Sequence, residues 1–433
     1  TAVPAGRPPV PECEHTAHLK IGCGDGREFS MRVRHVGLLK QSPDPGTSIL
    51  HHIGEGILNP CARHSAKSRL ILNRSAALPE NRMTPLRAKS FTIDKLSNAY
   101  QYAAVQSENL DFYNTETWFR TLARHCLAEG EDTIVFVAGG LVLPMRTSQS
   151  HHGPISTVSA NGLSNFYSCR FAPPGMSEGS DPHRAIEAIG LECRKRGYSS
   201  LRFDAMDEDT LAEFRRGLSS SGWMVEPFKQ FGNWYLPTKG LVFSDYWDQR
   251  PGALRNTGSR RSRQLLNAMK GQVRCLNEPG DAPDAIASVQ NTMAESWQKQ
   301  EPFPSYLPEL IYSGLQSRSL EVWVLTLNGA PIATQIWVER GDKATIFKLA
   351  YSKAWRKYSP GTVLTMAAME HYLDAEKLEE IDFGWGDDAY KREWLPMRRQ
   401  RFGLAAYNPA TIYGIGLAIR NLSPRYARRL LRR

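Results

Sequence analysis

Residues 346–394 read IFKLAYSKAWRKYSPGTVLTMAAMEHYLDAEKLEEIDFGWGDDAYKREW. The order is strand, basic loop, Ser-Pro-Gly-Thr, helix, strand, glycine turn, helix. A strand is expected over Ala344 to Tyr351, a helix over Gly361 to Glu376, a buried strand over Glu380 to Phe383 and a short helix over Asp388 to Trp394. Ser359 suits the N-cap of the long helix, and Pro360 suits its first turn, where a missing N–H costs nothing. Gly361 lets the backbone approach a ligand closely. A helix start presents unpaired N–H groups and the positive end of the helix dipole, which together favour an anion. Arg356 and Lys357, just upstream, are placed to pair with phosphate. Ser-Pro-Gly-Thr alone is a generic helix start. Its position between two strands, after a basic loop, is what turns it toward an anion.

Upstream of this stretch, Leu320 to Leu327 and Ile332 to Glu339 flank Asn328-Gly329, the strongest short hairpin signal. Helices are expected at Ala282 to Lys299 and Pro308 to Gly314, a strand at Val273 to Leu276, and one or two basic helices over 244–270. An earlier set of elements echoes this order: a helix from Thr115 to Cys126, a hairpin of Thr133 to Ala138 and Leu141 to Met145 turned by Gly139-Gly140, and a polar loop over 147–165. A helix from Pro182 to Arg196, a strand from Ser200 to Met206, a helix from Asp207 to Leu218 and a strand from Trp223 to Leu236 follow. Downstream come a strand from Phe402 to Tyr407 and a basic amphipathic tail, Tyr413 to Arg433, broken at Pro424. The repeated order predicts a duplicated α/β unit with a mixed sheet.

Residues 1–88 differ. They hold no Trp or Tyr, one Phe and six of the eleven His. With no persistent period they read as a disordered or non-native segment without functional weight. The remainder is ordinary globular sequence. The net charge of +10 and pI near 9.2 suit anionic partners without choosing among a CoA phosphate, RNA and an anionic surface. Seven scattered Cys, without C-x-x-C spacing, indicate reduced thiols and a reducing compartment, and no metal is expected. No stretch approaches the roughly 20 apolar residues of a membrane helix, and no export signal opens the chain. A cytoplasmic protein is expected, with the basic tail available to the inner face of the membrane. The marks of other enzyme classes, G-x-S-x-G, H-E-x-x-H and G-x-x-x-x-G-K-[ST], are missing.

Several pieces together resemble the GNAT acyltransferases of the CelD/BcsL type, related to the Fem aminoacyl and peptidyl transferases. They are Arg255-Asn256-Thr257 with Arg260, Arg261 and Arg263; Gly329-Ala330-Pro331-Ile332-Ala333 with Gln335; Lys348 and Ala350-Tyr351; Tyr358-Ser359-Pro360-Gly361-Thr362; and Asp382-Phe383-Gly384 with Gly386-Asp387 and Tyr390-Lys391 before Trp394. The similarity spans roughly residues 90 to 410 and is clearest in the second half. The Q/R-x-x-G-x-G/A phosphate loop of single-domain members is replaced by Arg356 to Gly361.

The resemblance implies an α/β (α+β) fold of two tandem GNAT-like domains, 89–240 and 241–412, followed by the 413–433 tail. Each is a mixed, mostly antiparallel sheet flanked by helices. It implies acetyl-CoA or another acyl-CoA as co-substrate, and transfer to an amine or hydroxyl on a small-molecule or glycan-precursor acceptor, with a link to surface polysaccharide or cell-envelope synthesis. Lys348, Tyr351, Arg356, Lys357, Ser359, Gly361 and Thr362 would hold the donor. Gln335, Asp382 and Trp385 would contact the acceptor. Tyr390 would protonate the leaving thiolate, Asp387 or Asp388 would act as base, and Lys391 would hold phosphate or the oxyanion.

Plainer readings stand beside these. Asp382 sits in a buried-looking strand and suits a pairing role. Asp387-Asp388 suit a helix cap, Trp394 suits the core, and Lys391 a solvated charge. The seven basic residues of 250–274 suit a linker helix as well as a grip on phosphate or RNA. Two other functions stay open: a Fem-like transferase drawing on aminoacyl-tRNA, the one nucleic-acid partner retained, and a degenerate polyanion-binding pair without catalysis.

Overall fold

The computed structural model describes residues 15–22, 28–35, 86–105, 110–152, 155–176, 181–296, 301–375 and 378–430. The chain divides into two compact units, Thr1–Glu80 and Asn81–Arg433. In the first, β1 (His15–Gly22) and β2 (Glu28–His35) pair as an antiparallel hairpin. This hairpin departs from the expectation of a segment without a strand period. The period is nevertheless present as Ala17, Leu19, Ile21 and Phe29, Met31, Val33, each alternating with polar residues. The rest of the segment expected to be disordered, up to residue 85, lies outside the described residues.

The second unit is built on one twelve-stranded sheet. Its strands in chain order are β3 (Lys89–Phe91), β4 (Glu131–Ala138), β5 (Leu141–His152), β6 (Ile155–Gly162), β7 (Ser200–Met206) and β8 (Met224–Pro237). The later six are β9 (Gln272–Leu276), β10 (Leu320–Leu327), β11 (Ala330–Arg340), β12 (Lys343–Tyr351), β13 (Glu380–Asp382) and β14 (Met397–Tyr407). Their spatial order is β3-β4-β5-β6-β7-β14-β8-β13-β12-β11-β10-β9. All neighbours are antiparallel except β6/β7 and β12/β13. Each half thus repeats one plan: four antiparallel strands, then a parallel fifth. The closing strands are exchanged. β14 from the end of the second half pairs with β7, β8 from the end of the first pairs with β13, and the two pair with each other over eleven positions, Met397↔Tyr235 to Tyr407↔Met224.

The Asn328-Gly329 hairpin forms as read. Both residues have positive φ, 49° and 78°, the backbone that a tight two-residue turn requires. Within 147–165, expected to be a loop, residues 147–152 instead continue β5 and residues 155–162 form β6. Ser148 and Ser159 share a hydrogen bond of 2.8 Å, and Gln149 donates to Ser156 at 2.7 Å, so polar side chains pair across a ladder that needs no apolar alternation. The tail helix, Ile412–Leu430, runs unbroken through Pro424. The proline removes one N–H without ending the helix. Among the described residues no helix is long and apolar enough to cross a membrane.

Helix Pro360–Asp374 covers one face of β10–β12. Val363, Leu364, Ala368, Met369 and Tyr372 are buried there with Trp337 and Ile381, and the Tyr372 and Trp337 rings lie 4.7 Å apart. Helix Gly252–Ser262 packs on its outer side, where a Cβ on Gly258 would meet Trp247 and Met366. Apolar residues therefore surround most of this helix. Helices Ala282–Ala294 and Tyr306–Gln316 cover the opposite face, burying Leu310 and Ile311 with Val322, Val324, Ile336 and Val338. The four described cysteines are unpaired, and burial first of all pushes the thiols of Cys126, Cys169 and Cys193 up to about 12, out of reach of thiolate chemistry.

Candidate active site

β12 pairs with β13 at three positions only, Lys343↔Glu380, Ala344↔Ile381 and Thr345↔Asp382. On its other side the register against β11 shifts, so that Ile336 opposes Lys348 and Trp337 opposes Ile346. Phe347 is the extra residue of a β-bulge, with its backbone groups released from the ladder. Beyond Asp382 the chain follows β8, with the Phe383 N–H donating to the Trp234 carbonyl at 3.0 Å. Gly384 makes the last close approach to β12: its φ is +66° and a Cβ there would lie 2.7 Å from the Ile346 carbonyl oxygen. From Phe347 to Tyr351, then, β12 has no strand partner on this side among the described residues.

The helix that starts at Pro360 abuts this open stretch. A Cβ on Gly361 would sit 3.4 Å from the Tyr351 ring and 3.7 Å from Leu349. Ser359 does not cap the helix with its side chain, as the sequence led us to expect. It lies in the left-handed region, φ 51° and ψ 51°, and it is its carbonyl that accepts from the N–H of Thr362 at 3.0 Å and of Val363 at 3.3 Å. Pro360 has no N–H, so Gly361 is left as the first-turn donor without an intrahelical partner. Thr362 is half-buried, and Arg356 and Lys357 are exposed in the preceding short helix Lys353–Tyr358. Arg261 joins them from the neighbouring helix, its guanidinium 5.7 Å from the Tyr358 ring that Lys357 also overlies at 5.0 Å.

Lys348, next to the bulge, points to the other face. Its ammonium donates to the carboxylate of Glu301, which also accepts from the Tyr167 hydroxyl. Tyr167 comes from the first half and stacks on Tyr306 at 4.4 Å and on Phe347 at 5.9 Å. Glu301 borders a cavity of about 480 Å³ that is otherwise mostly apolar, with Ile286, Val289, Met293, Leu307 and Ile311 in its wall. Neither Glu301 nor Tyr167 was singled out from sequence. Glu301 stands in Lys299-Gln300-Glu301-Pro302, a short polar link between two helices with nothing to mark it.

The remaining sequence candidates are tied into the framework. Gln335 is fully buried; its amide donates to Thr365 Oγ1 at 2.6 Å and its carbonyl oxygen accepts from Trp337 Nε1 at 2.9 Å, fixing the helix to the sheet. Asp382 is buried and accepts from Asn233 Nδ2 and the Gly384 N–H, each at 2.6 Å, and from Arg399. Lys391, read as a solvated or oxyanion-binding cation, is buried and donates to the Trp385 carbonyl at 2.6 Å. Asp387 accepts from Trp234 Nε1 at 2.6 Å and from Arg398 Nη2 at 2.6 Å. The hydrogen bonds from Arg398, then that from Trp234, hold its carboxyl below the usual range, which weakens it as a base. Asp388 is exposed, with its carboxylate 3.4 Å from the Lys391 ammonium. Trp385 is 47% exposed and leans on Phe231, ring centres 5.1 Å apart. Tyr390 is 43% exposed; desolvation of its hydroxyl, then the Asp388 charge, pushes its pKa up, so it remains a proton donor. Among the described residues no cluster of His, Cys, Asp or Glu has the makings of a metal site.

Residues 252–392 match the family described as Acetyltransferase (GNAT) domain. Among solved structures, the chain is similar to the C-terminal domain of a putative lysylphosphatidylglycerol synthetase from Agrobacterium fabrum, at 15% identity over 75% of this chain and 96% of that one, with a TM-score of 0.47. It is similar to FemX at 9% identity over 73% and 96% of the two chains, with a TM-score of 0.48. It is also similar to a tandem GNAT protein from the clavulanic acid biosynthesis pathway at 13% identity over 75% and 99%, with a TM-score of 0.41. No curated protein matches the chain. The segment that holds the bulged β12, the Pro360 helix start and the Gly384 turn is thus the one that matches the GNAT acetyltransferase domain family.

Proposed function

We propose that the chain transfers an acyl group from acyl-CoA to an amine or hydroxyl, with the donor in the opening along β12. One relationship carries this reading: β12 parts from β13 beyond Thr345, and the helix facing the free stretch begins with Gly361 packed on Leu349 and Tyr351. The Phe347 bulge leaves backbone groups to hold a thioester oxygen. The Gly361 N–H, with Arg356, Lys357 and Arg261 nearby, offers a pyrophosphate an anion-binding rim. Glu301, on the far side of Lys348, is the base we assign to the acceptor, and Tyr390 the acid for the thiolate. The acceptor attacks the thioester carbonyl, Glu301 takes its proton, the C–S bond breaks, and the CoA thiolate leaves with a proton from Tyr390. The CelD/BcsL resemblance directs the search for acceptors to cell-envelope and polysaccharide precursors.

Calorimetric titration with acetyl-CoA tests the donor. The wild-type chain binds it, and the exposed double reversal Arg356→Glu with Lys357→Glu weakens binding at least about tenfold without loss of fold, on the scale of one to two charge-assisted contacts. No acetyl-CoA binding by the wild type, together with RNA binding of steep salt dependence, would overturn the assignment.

A further inference from the structure

A second cavity, of about 550 Å³, lies on the sheet face opposite helix Pro360–Asp374 and is lined by charged side chains of both halves. The faces follow from strand alternation: Ile381 packs toward the helix, and its neighbours Glu380 and Asp382 border the cavity. Most of the lining charges are matched. Arg170 pairs with Asp111 at 3.2 Å and with Asp207 at 2.9 Å. Arg399 pairs with Glu380 at 2.8 Å and with Asp382.

Arg401 makes no direct ion pair, although the charges of Asp382 and Asp207 act on it from further off. It is 4% exposed on β14 and borders the same cavity. Among the described residues no carboxylate lies within ion-pair distance of it; its Nη2 reaches only the neutral Asn233 Oδ1 at 3.4 Å, and its Nε has no partner. Burial, and then the neighbouring Arg399 charge, lower its pKa, yet a guanidinium stays protonated in proteins. The Tyr113 hydroxyl, which also borders this cavity, is hydrogen-bonded with the Cys169 thiol and has no oxygen or nitrogen partner among the described residues. A guanidinium withdrawn from water is costly to keep while its N–H groups are unbonded, and an anion in the cavity would satisfy them. The two carboxylates not taken up by these pairs, Asp209 and Asp342, are exposed, where water screens them.

We propose that this cavity is a recognition site for the carboxylate or phosphate group of a small ligand, with Arg401 as its charge partner and Tyr113 as an added donor. The guanidinium fork suits either group. The site borders the last β12/β13 pair, Thr345 and Asp382, on the face opposite helix Pro360–Asp374, and is assayed without acyl-CoA, so its failure and that of the transferase reading are separate outcomes.

The test is thermal unfolding of the full chain with inorganic phosphate and, separately, succinate, at fixed ionic strength. Wild type gains about 3–5 °C at hundredfold excess of the preferred anion over its Kd. Arg401→Gln, which removes the charge and can still bond Asn233, is at least as stable as wild type without anion and shows no anion-dependent gain. Arg401→Lys keeps the charge but not the fork and weakens binding about tenfold. A gain with phosphate alone assigns a phosphate ligand, with succinate alone a carboxylate. Tyr113→Phe provides an independent variant, with calorimetric affinity for the same anion down several-fold. No gain with either anion in wild type, or an equal gain in Arg401→Gln, would overturn the proposal.

Discussion

The ammonium of Lys391 donates to the carbonyl of Trp385 at 2.6 Å and lies 3.4 Å from that of Gly386, closing from within the loop that leaves β13. Lys391→Met strands these carbonyls without their buried donor. The expected cost is about 1–3 kcal/mol of stability, seen as a lower urea midpoint at unchanged slope. Acetyl-CoA affinity of the folded protein is expected to stay at the wild-type level. An unchanged midpoint would refute the staple.

Glu301→Gln keeps the size of the side chain and one acceptor oxygen, but neither its charge nor its basicity. With Glu301 as base, turnover falls about 10²–10⁴-fold while acetyl-CoA affinity is unchanged. Asp387→Asn, by contrast, leaves turnover within a few-fold, because the hydrogen bonds from Arg398 and then Trp234 lower the pKa of that carboxyl and weaken it as a base. Equal losses in both variants would move the base back to the loop after β13.

Acid stability isolates the side-chain link from Glu380 on β13 to Arg399 on β14, which reaches across the intervening β8. Burial alone would raise the pKa of Glu380, but hydrogen bonds and charge from Arg399, helped by Lys343, bring it below its ordinary 4.5. A carboxylate depressed in the folded state stabilises the fold fully above its unfolded value, and the contribution drains away as pH falls through the depressed native value. Glu380→Gln therefore lowers stability at neutral pH and converges with wild type in acid. Parallel stability curves in urea across pH would contradict this.

The exchanged strands couple the halves. Leu404 on β14 is fully buried, in the core shared with the first half. Leu404→Ala is expected to cost about 2–5 kcal/mol. Probes in either half are expected to lose structure at one common, lowered midpoint, as for a single cooperative unit. Separate midpoints for the first-half and second-half tryptophans would show that the exchange does not couple them.

Much of this was legible in the sequence wherever a single local rule decides the backbone. Asn328-Gly329 set a hairpin register, and the apolar runs of β10–β12 set a buried sheet with a helix between β12 and β13. Polar strands β5 and β6 were missed because a sheet's ladder is made by the backbone, so a hydrophobic period is sufficient evidence for a strand but not a necessary one. Site residues were harder for a related reason. Lys391, Gln335 and Asp382 are polar residues in the segment that makes the site, yet each is consumed by framework bonds: Asp382 and Gln335 by Asn233 and Thr365, distant in sequence, and Lys391 by the carbonyl of Trp385 in the loop before it. Glu301 and Arg401 gain their meaning only from burial, which a list of residue types does not contain.

The trading of β8 and β14 sets an order in time as well as in space. Pro237 and Met397, where the two strands end and begin, are 160 residues apart. While the chain is being synthesised, β7 and β8 wait with open edges through the whole making of the second half. Such edges invite pairing with other chains, and a closure over so long a loop is slow. The last strand to leave the ribosome is thus the one that completes the first half, and a nascent chain arrested before residue 397 should be a client for chaperones rather than a folded fragment.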